Sequence, residues 1–121
     1  MTDDSSKPRQ EPPAVQRLED MVRGWFVGDF TPSVVRTAAV EVAIQTYGQG
    51  HAEPKHVHRV ATELTVIVSG RVTMNGIEYR AGDIVNIPPG HATDFVAVEA
   101  TVTVVVKLPS VRGDKYLEAT P

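Results

Sequence analysis

The stretch from Gly50 to Gly70, GHAEPKHVHRVATELTVIVSG, constrains this chain more than any other. His56 and His58 lie two residues apart, and side chains at that spacing project from the same face of an extended strand. Glu63 begins the next extended run, so a neighbouring strand can bring its carboxylate to the two imidazoles. Two imidazoles and one carboxylate are a typical ligand set for iron, zinc, manganese or nickel. The stretch therefore predicts a metal site.

The same residues resemble the first signature motif of the cupins. Every fixed position of that motif is matched, in the order Gly50, five residues, His56-x-His58, four residues, Glu63, six residues, Gly70. The second cupin motif reads Gly, five residues, Pro-x-Gly, two residues, His. Gly82 and Pro88-Pro89-Gly90 match its first part, but Thr93 stands where the histidine belongs.

The replacement at Thr93 leaves several interpretations open. A threonine there leaves a coordination position for water or substrate, as a catalytic metal requires. His91 has the same strand parity as Thr93, which makes it a candidate catalytic acid or base. Because His91 directly follows a Pro-Pro-Gly bend, the alternative is a surface histidine on a turn. A further alternative for the whole motif is a metal-free polar pocket in which Glu63 hydrogen-bonds the histidines.

The resemblance implies a jelly-roll barrel with one divalent metal ion (Fe, Mn, Ni or Zn) held inside by His56, His58 and Glu63. It implies a metal-dependent enzyme acting on a small molecule, either a dioxygenase or an isomerase, epimerase or lyase. Fold does not fix function, so the alternative is a non-catalytic module that binds a small ligand or a metal.

The rest of the chain reads independently as an all-β protein. Short β-branched runs alternate with Gly and Pro, as in sandwiches and barrels. Asn75-Gly76 is a strong hairpin signal, because both central residues of a type I′ turn need positive φ. The predicted parts are a disordered tail over 1–13, an N-terminal arm with a short helix over 14–32, the barrel over 33–110 and a C-terminal tail over 111–121.

Two features outside the motif bear on the site. Trp25, Phe26 and Phe30 lie close together and either plug the core or line the mouth of the cavity. Lys107 shares a strand face with two threonines, while alternate valines occupy the other face. The valine pattern favours a surface position for Lys107; on the opposite assignment it would be a buried cation and a functional candidate.

Composition excludes several classes of function. The chain has no cysteine, so disulfides and thiolate ligands are absent. Asp and Glu number 15 against 12 Lys and Arg, with no basic run, which argues against nucleic acid. No stretch has the apolar character of a membrane span or signal peptide, so a cytoplasmic protein is expected. Apolar residues on both faces of the strand at 64–68 favour a homodimer.

Overall fold

The structure, a computed structural model, describes residues 10–118, which form a barrel of two facing β-sheets. Two 3-10 turns, Leu18–Asp20 and Val22–Gly24, precede the strands. The strands are β1 Trp25–Gly28, β2 Val35–Arg36, β3 Glu41–Tyr47, β4 Ala52–Val57, β5 Thr62–Ser69, β6 Arg71–Met74, β7 Ile77–Arg80, β8 Ile84–Ile87, β9 Thr93–Ala97, β10 Thr101–Leu108 and β11 Tyr116–Leu117.

The strand order places distant parts of the chain side by side. One sheet has the order β2-β1-β3-β10-β5-β8 and the other β11-β4-β9-β6-β7. Neighbouring strands are antiparallel, except that β1 and β2 are parallel. The predicted all-β jelly-roll barrel is therefore confirmed.

Gly70 is the corner at which the chain passes from one sheet to the other. It separates β5 from β6 and has φ +91°. A Cβ atom there would lie 2.3 Å from Thr101 Oγ1 and 2.4 Å from the Ala100 carbonyl oxygen. Both the conformation and the close approach require glycine.

The predicted hairpin at Asn75-Gly76 is also confirmed. Asn75 and Gly76 have φ of 51° and 77° and connect β6 to β7, with Met74 opposite Ile77. Asn75 also anchors the turn to β9, the neighbour of β6 in the sheet, since its main-chain N–H donates to Asp94 Oδ1 at 2.6 Å.

Polar and apolar side chains occupy opposite ends of the barrel interior. The inward residues of β5 run from Glu63 through Thr65 to Ile67, so the polarity falls along one strand. The apolar end is filled by a buried cluster of Ile67, Val72, Met74, Ile87, Phe95 and Ala97. This cluster holds the two sheets together and leaves the other end for polar side chains.

The preference for a surface position of Lys107 was wrong. In β10 the threonines, Val105 and Lys107 point into the barrel, and the side chain of Lys107 is only 14% exposed. The remaining valines of β10 lie on the outer face. The pattern misled because that outer face is itself apolar, so alternating valines did not mark the interior.

The N-terminal arm differs from its predicted short helix. Of the apolar residues that gave the helical spacing, Val15, Leu18 and Val22 stay exposed, whereas Met21, between the two 3-10 turns, is buried. Helical spacing alone did not produce an α-helix, because no facing surface buries the apolar stripe. Of the predicted tail at 1–13, residues 1–9 lie outside the described part, as do residues 119–121 of the C-terminal tail.

The outer face of the larger sheet carries a continuous apolar row. Ile44, Val104, Val66 and Ile84 lie directly opposite one another across β3, β10, β5 and β8. Ile84 is 65% exposed. Separately, the described residues contain no helix that is both long and apolar enough to cross a membrane.

The homodimer expected from the sequence remains a prediction, and the apolar row is where we expect the contact. Ile84→Lys should convert a dimer at micromolar concentration into a monomer, because it places a charge in an apolar contact. Sedimentation velocity measures this. Ile77→Lys is the matched control, since Ile77 is similarly exposed at the start of a strand in the other sheet. A wild-type protein that sediments only as a monomer contradicts the prediction.

Gly70→Ala should destabilise the protein more than Gly82→Ala. Gly82 has a similar φ of +95°, but no atom lies within 4 Å of a Cβ built there. Gly82→Ala should therefore show only the backbone strain, of about 1–3 kcal/mol. Gly70→Ala adds a collision with main-chain atoms. Urea unfolding of both variants measures the difference, and equal losses would rule out a role for the collision.

Candidate metal centre

The three predicted ligands come together at the polar end of the barrel. His56 lies in β4, His58 just beyond that strand and Glu63 in β5 of the facing sheet. Each offers one ligand atom, and these atoms lie within 4.8 Å of one another. His58 and Glu63 are buried, at 4% and 8% exposure. The three residues of the motif thus form a cluster that bridges the two sheets.

A β-bulge in β4 brings a second carboxylate, Glu53, into the cavity that His56 and Glu63 line. Glu53 is opposite Phe95 and His56 is opposite Thr93, so the register shifts by one residue between them. Pro54 lies within this shift and has no N–H to donate to the ladder. As a result both Glu53 and His56 line the cavity, although they are three residues apart.

Hydrogen bonds fix which nitrogen of each histidine is free. Nδ1 of His56 lies 3.2 Å from the carbonyl oxygen of Pro54, and Nδ1 of His58 bonds the carbonyl oxygen of Asp114. A carbonyl oxygen only accepts, so Nδ1 is the donor in both rings. In the neutral rings the Nε2 lone pair is then free, as a metal ligand requires.

The Nε2 atom of His58 has no hydrogen-bond partner among the described residues, although it is fully buried. The nearby group is Oε1 of Glu63, 3.4 Å away. With Nδ1 carrying the proton of a neutral ring, a lone pair faces a carboxylate oxygen, and neither can donate. A proton on Nε2 or a metal ion between the two atoms resolves this conflict, and the chemistry of the donor set fits a metal ion.

The electrostatics favour the ligating form of Glu63. Burial raises the pKa of this carboxyl, but contact with His58 and the positive charge of Lys107 lower it further than burial raises it. The carboxylate is therefore ionised at neutral pH. Its second oxygen, Oε2, lies 3.5 Å from the Thr65 hydroxyl, which donates to it.

His56 is held in its neutral form as well. Burial lowers the pKa of this imidazole, and the hydrogen bond to Pro54 opposes the shift without cancelling it. Neutral imidazole and ionised carboxylate are the forms that bind divalent metals. Ligand atoms bound at 2.0–2.2 Å lie about 3–3.6 Å apart. The His58–Glu63 pair already has this spacing, and the three ligand atoms lie within 4.8 Å of one another, so a small side-chain movement completes the set for a metal ion.

Asp114 clamps the loop that carries His58. Besides the carbonyl bond to His58, its carboxylate accepts the main-chain N–H groups of Arg59, Val60 and Ala61 at 2.8–3.2 Å. Burial raises the pKa of the Asp114 carboxyl, but these three N–H groups together bring it below its usual value. The residues predicted to be a C-terminal tail thus form part of the site's support.

The strand β11 extends this support to the ligand strand. Tyr116 and Leu117 pair with Val57 and His56. The guanidinium of Arg59 lies over the Tyr116 ring, 3.8 Å from its centroid. β4 therefore has a neighbour on each side, and His56 lies in an internal strand of the sheet.

Two cavities meet at the ligands. A chamber of about 140 Å³ inside the barrel is lined by His56 and Glu63, and an outer cavity of about 350 Å³ is lined by His58. Thr93 is buried in the wall of the chamber, opposite His56. The position that usually holds a histidine in the second cupin motif is therefore at the site and carries a hydroxyl.

Three aromatic residues outside the core cluster, Trp25, Phe30 and Tyr47, line the cavities. Trp25 borders both cavities and Phe30 the outer one. Tyr47 lines the chamber and donates from its hydroxyl to Gln45 Oε1 at 2.5 Å. Burial, and then the Glu53 carboxylate, raise the pKa of Tyr47 to about 12, so it stays protonated at neutral pH.

The structure does not bring His91 to the ligands. His91 is exposed on the turn after Pro88, and its main-chain N–H donates to the Pro88 carbonyl oxygen at 3.3 Å. It lines none of the cavities described here. The strand parity that would have turned it inward is lost in the turn, so nothing in the geometry supports a catalytic role.

Sequence reasoning missed Asp114 and Lys115. Both lie far from the motif in the sequence, and no local pattern marks them as part of a site. The inward position of Lys107 could have been predicted, because Lys107 shares its strand face with Thr101 and Thr103. The alternating valines of the outer face favoured the opposite assignment.

Comparison with known proteins identifies the fold. No protein-family model matches the sequence, and no curated protein matches it either. Solved structures do match. A conserved protein with a double-stranded β-helix domain from Klebsiella pneumoniae aligns with a TM-score of 0.66 and 21% identity, covering 90% of this chain and 100% of that one.

A cupin superfamily protein from Desulfitobacterium hafniense aligns with a TM-score of 0.56 and 12% identity, over 61% of this chain and 71% of that one. This chain has the cupin fold. The DMSP lyase DddQ from Ruegeria pomeroyi shares it, with a TM-score of 0.65 and 18% identity over 77% of this chain. The alignment covers 49% of the lyase's length.

Asp114→Ala should lower the free energy of unfolding by about 2–4 kcal/mol, because buried N–H groups lose a charged acceptor. Asp83→Ala is the matched control. Asp83 accepts a single main-chain N–H, from Arg80 at 2.8 Å, and its loss should cost about 1 kcal/mol or less. Chemical denaturation in the presence of a chelator measures both. Similar losses in the two variants would contradict the clamp.

Proposed function

We propose that this protein is a metal-dependent enzyme acting on a small molecule, with one divalent ion held by His56, His58 and Glu63. The observation that carries the proposal is the buried Nε2 atom of His58, which has no partner among the described residues and faces Glu63 Oε1 at 3.4 Å. A buried lone pair against a carboxylate costs free energy unless a cation lies between them. Fe, Mn, Ni or Zn suits this donor set.

The surroundings of the ligands support catalysis on a small molecule. A bound ion would supply Lewis acidity or an oxygen-binding centre. Tyr47 presents a protonated hydroxyl to the chamber and Lys107 an ammonium group. Lys107 can donate a proton or a hydrogen bond to a substrate in the chamber, and the Tyr47 oxygen, whose proton is already donated to Gln45, can accept a hydrogen bond. Thr93 leaves room beside His56 where a histidine would otherwise occupy a coordination position.

The reaction class we favour is an isomerase, epimerase, lyase or dioxygenase. The lyase DddQ has the same fold, which supports a lyase among these classes without selecting it. The chamber of about 140 Å³ limits the reacting part of the substrate to a few non-hydrogen atoms.

A non-catalytic binding module is the alternative. It is favoured by one observation: the nearest cavity-lining cations and carboxylates, apart from Glu63, are already arranged in pairs. Lys107 lies 3.6 Å from Glu41, and Lys115 lies 3.8 Å from Glu53. Groups held in ion pairs are less free to exchange protons.

Elemental analysis of protein purified without added metal should find close to one equivalent of a divalent metal. After chelation and retitration, Glu63→Gln should bind the same metal on the order of a hundredfold more weakly, because a neutral amide replaces the anionic ligand. Glu78→Gln is the control, since Glu78 is exposed and lines no described cavity. Metal far below one equivalent, with no uptake on titration, would contradict the proposal.

Turnover separates the enzyme from the binding module. Metal-dependent conversion of a small molecule that is lost in Glu63→Gln supports the enzyme. Stoichiometric metal binding without turnover across a broad panel of small molecules supports the binding module.

A further inference from the structure

The two cavities are joined by a cationic wall. The chamber and the outer cavity share Arg23, Trp25, Lys107 and Lys115 in their linings. Three of these four side chains are cations. A molecule that reaches from the outer cavity toward the metal ligands therefore passes between positive charges.

Lys107 retains hydrogen-bonding capacity toward the cavities. Its Nζ lies 3.6 Å from Glu41 Oε1, which is longer than a normal hydrogen bond. The other oxygen of Glu41 accepts the Ser110 hydroxyl at 2.7 Å. The ammonium group also lies 4.8 Å from the centroid of the Trp25 ring. The Glu41 carboxylate and the Trp25 ring balance the charge of this largely buried ammonium group without taking up its N–H donors. These donors remain available for a ligand.

Lys115 is also paired with a carboxylate at a distance longer than a normal hydrogen bond. Its Nζ lies 3.8 Å from Glu53 Oε2, and its side chain is 48% exposed. Lys107 and Lys115 belong to different sheets: Lys107 lies in β10 of the larger sheet, and Lys115 directly precedes β11 of the other sheet. An anion held between them would touch both sides of the barrel mouth.

The charge balance favours an anion once a metal is bound. The two cavities together are lined by four Lys or Arg and four Asp or Glu. Of the carboxylates, Asp114 is engaged by three main-chain N–H groups and Glu63 is a metal ligand. A divalent ion added to this balanced lining leaves it positive.

The outer cavity also offers an apolar surface. Trp25 and Phe30 pack edge to face, with ring centroids 6.5 Å apart, and both line it. Pro32, Pro109 and Val111 extend the same wall. The volume of about 350 Å³ suits a compact apolar body of the size of one ring.

We propose that the ligand of this site is a small carboxylate with a compact apolar body. Its carboxylate is bound between Lys107 and Lys115 beside the metal ligands, and its apolar body packs on Trp25 and Phe30. This inference rests on the proposed function, because the surplus positive charge comes from the bound metal.

Benzoate and benzamide are the probes, since they share a ring and differ in charge. Isothermal titration of the zinc-loaded protein should show benzoate binding at least about tenfold tighter than benzamide. Lys107→Met and Lys115→Met should each weaken benzoate binding on the order of tenfold and leave benzamide unchanged. Arg80→Met is the charge-matched control, because Arg80 is exposed and lines no described cavity.

Equal affinity for the two probes, no benzoate binding, or equal weakening of both probes by the lysine variants would overturn the inference. If circular dichroism shows that Lys107→Met does not fold, the test rests on Lys115→Met, since Lys115 is half-exposed.

Zinc content is measured in every sample before titration. Zinc bound without benzoate binding overturns the carboxylate site and leaves the proposed function intact. Benzoate binding that depends on the lysines in a protein unable to take up zinc, iron, manganese or nickel overturns the proposed function and keeps the carboxylate site.

Discussion

The structure depends on keeping an ionised carboxylate inside a β-barrel. Glu63 is buried, and transferring a charge from water into a protein interior is costly unless other groups compensate. Compensation comes from the Thr65 hydroxyl and from Lys107, which is opposite Glu63 in the β5–β10 ladder. Lys107 in turn needs Glu41, which is held by Ser110. One buried charge therefore determines the identity of several surrounding positions.

The apolar end of the barrel makes this polar end possible. Ile67, four residues beyond Glu63 on the same strand, belongs to the core cluster, about 13 Å away at the rise of an extended strand. Phe95 likewise follows Thr93 on β9. Each strand thus contributes to the core with one part of its length and to the site with the other. The hydrophobic packing of one end supplies the stability that a polar interior at the other end reduces.

The ligand motif and the turns could be predicted because they are local. Strand parity brought His56 and His58 to one face, and positive φ placed glycine at Gly76 and at the Gly70 corner. The family spacing also marked Thr93 as a position at the site, and in the structure it lies opposite His56. These features need only a few neighbouring residues to be specified.

What could not be predicted depends on partners distant in the sequence. Asp114 reaches the loop of His58 through a chain path that no periodicity reveals. The inner face of β10 was misassigned because both of its faces carry apolar residues, so patterning could not separate core from outer surface. The expected helix at the N-terminal arm lacked a surface to bury its stripe, and His91 was carried outward by a turn. In each case tertiary packing outweighed the local signal.

The positions of the ligands link metal binding to the closure of the barrel. His56 belongs to one sheet and Glu63 to the other, and the only chain between them is the short loop clamped by Asp114. At the far end the core cluster already holds the sheets together; at this end the described residues provide mainly polar contacts across the gap. An ion bound by both sheets would act as a second point of attachment between them. Because such an ion binds the folded chain and not the unfolded one, its binding free energy adds to stability. The polar end, which costs stability when it is empty of a cation, would then become the part of the barrel most strengthened by one.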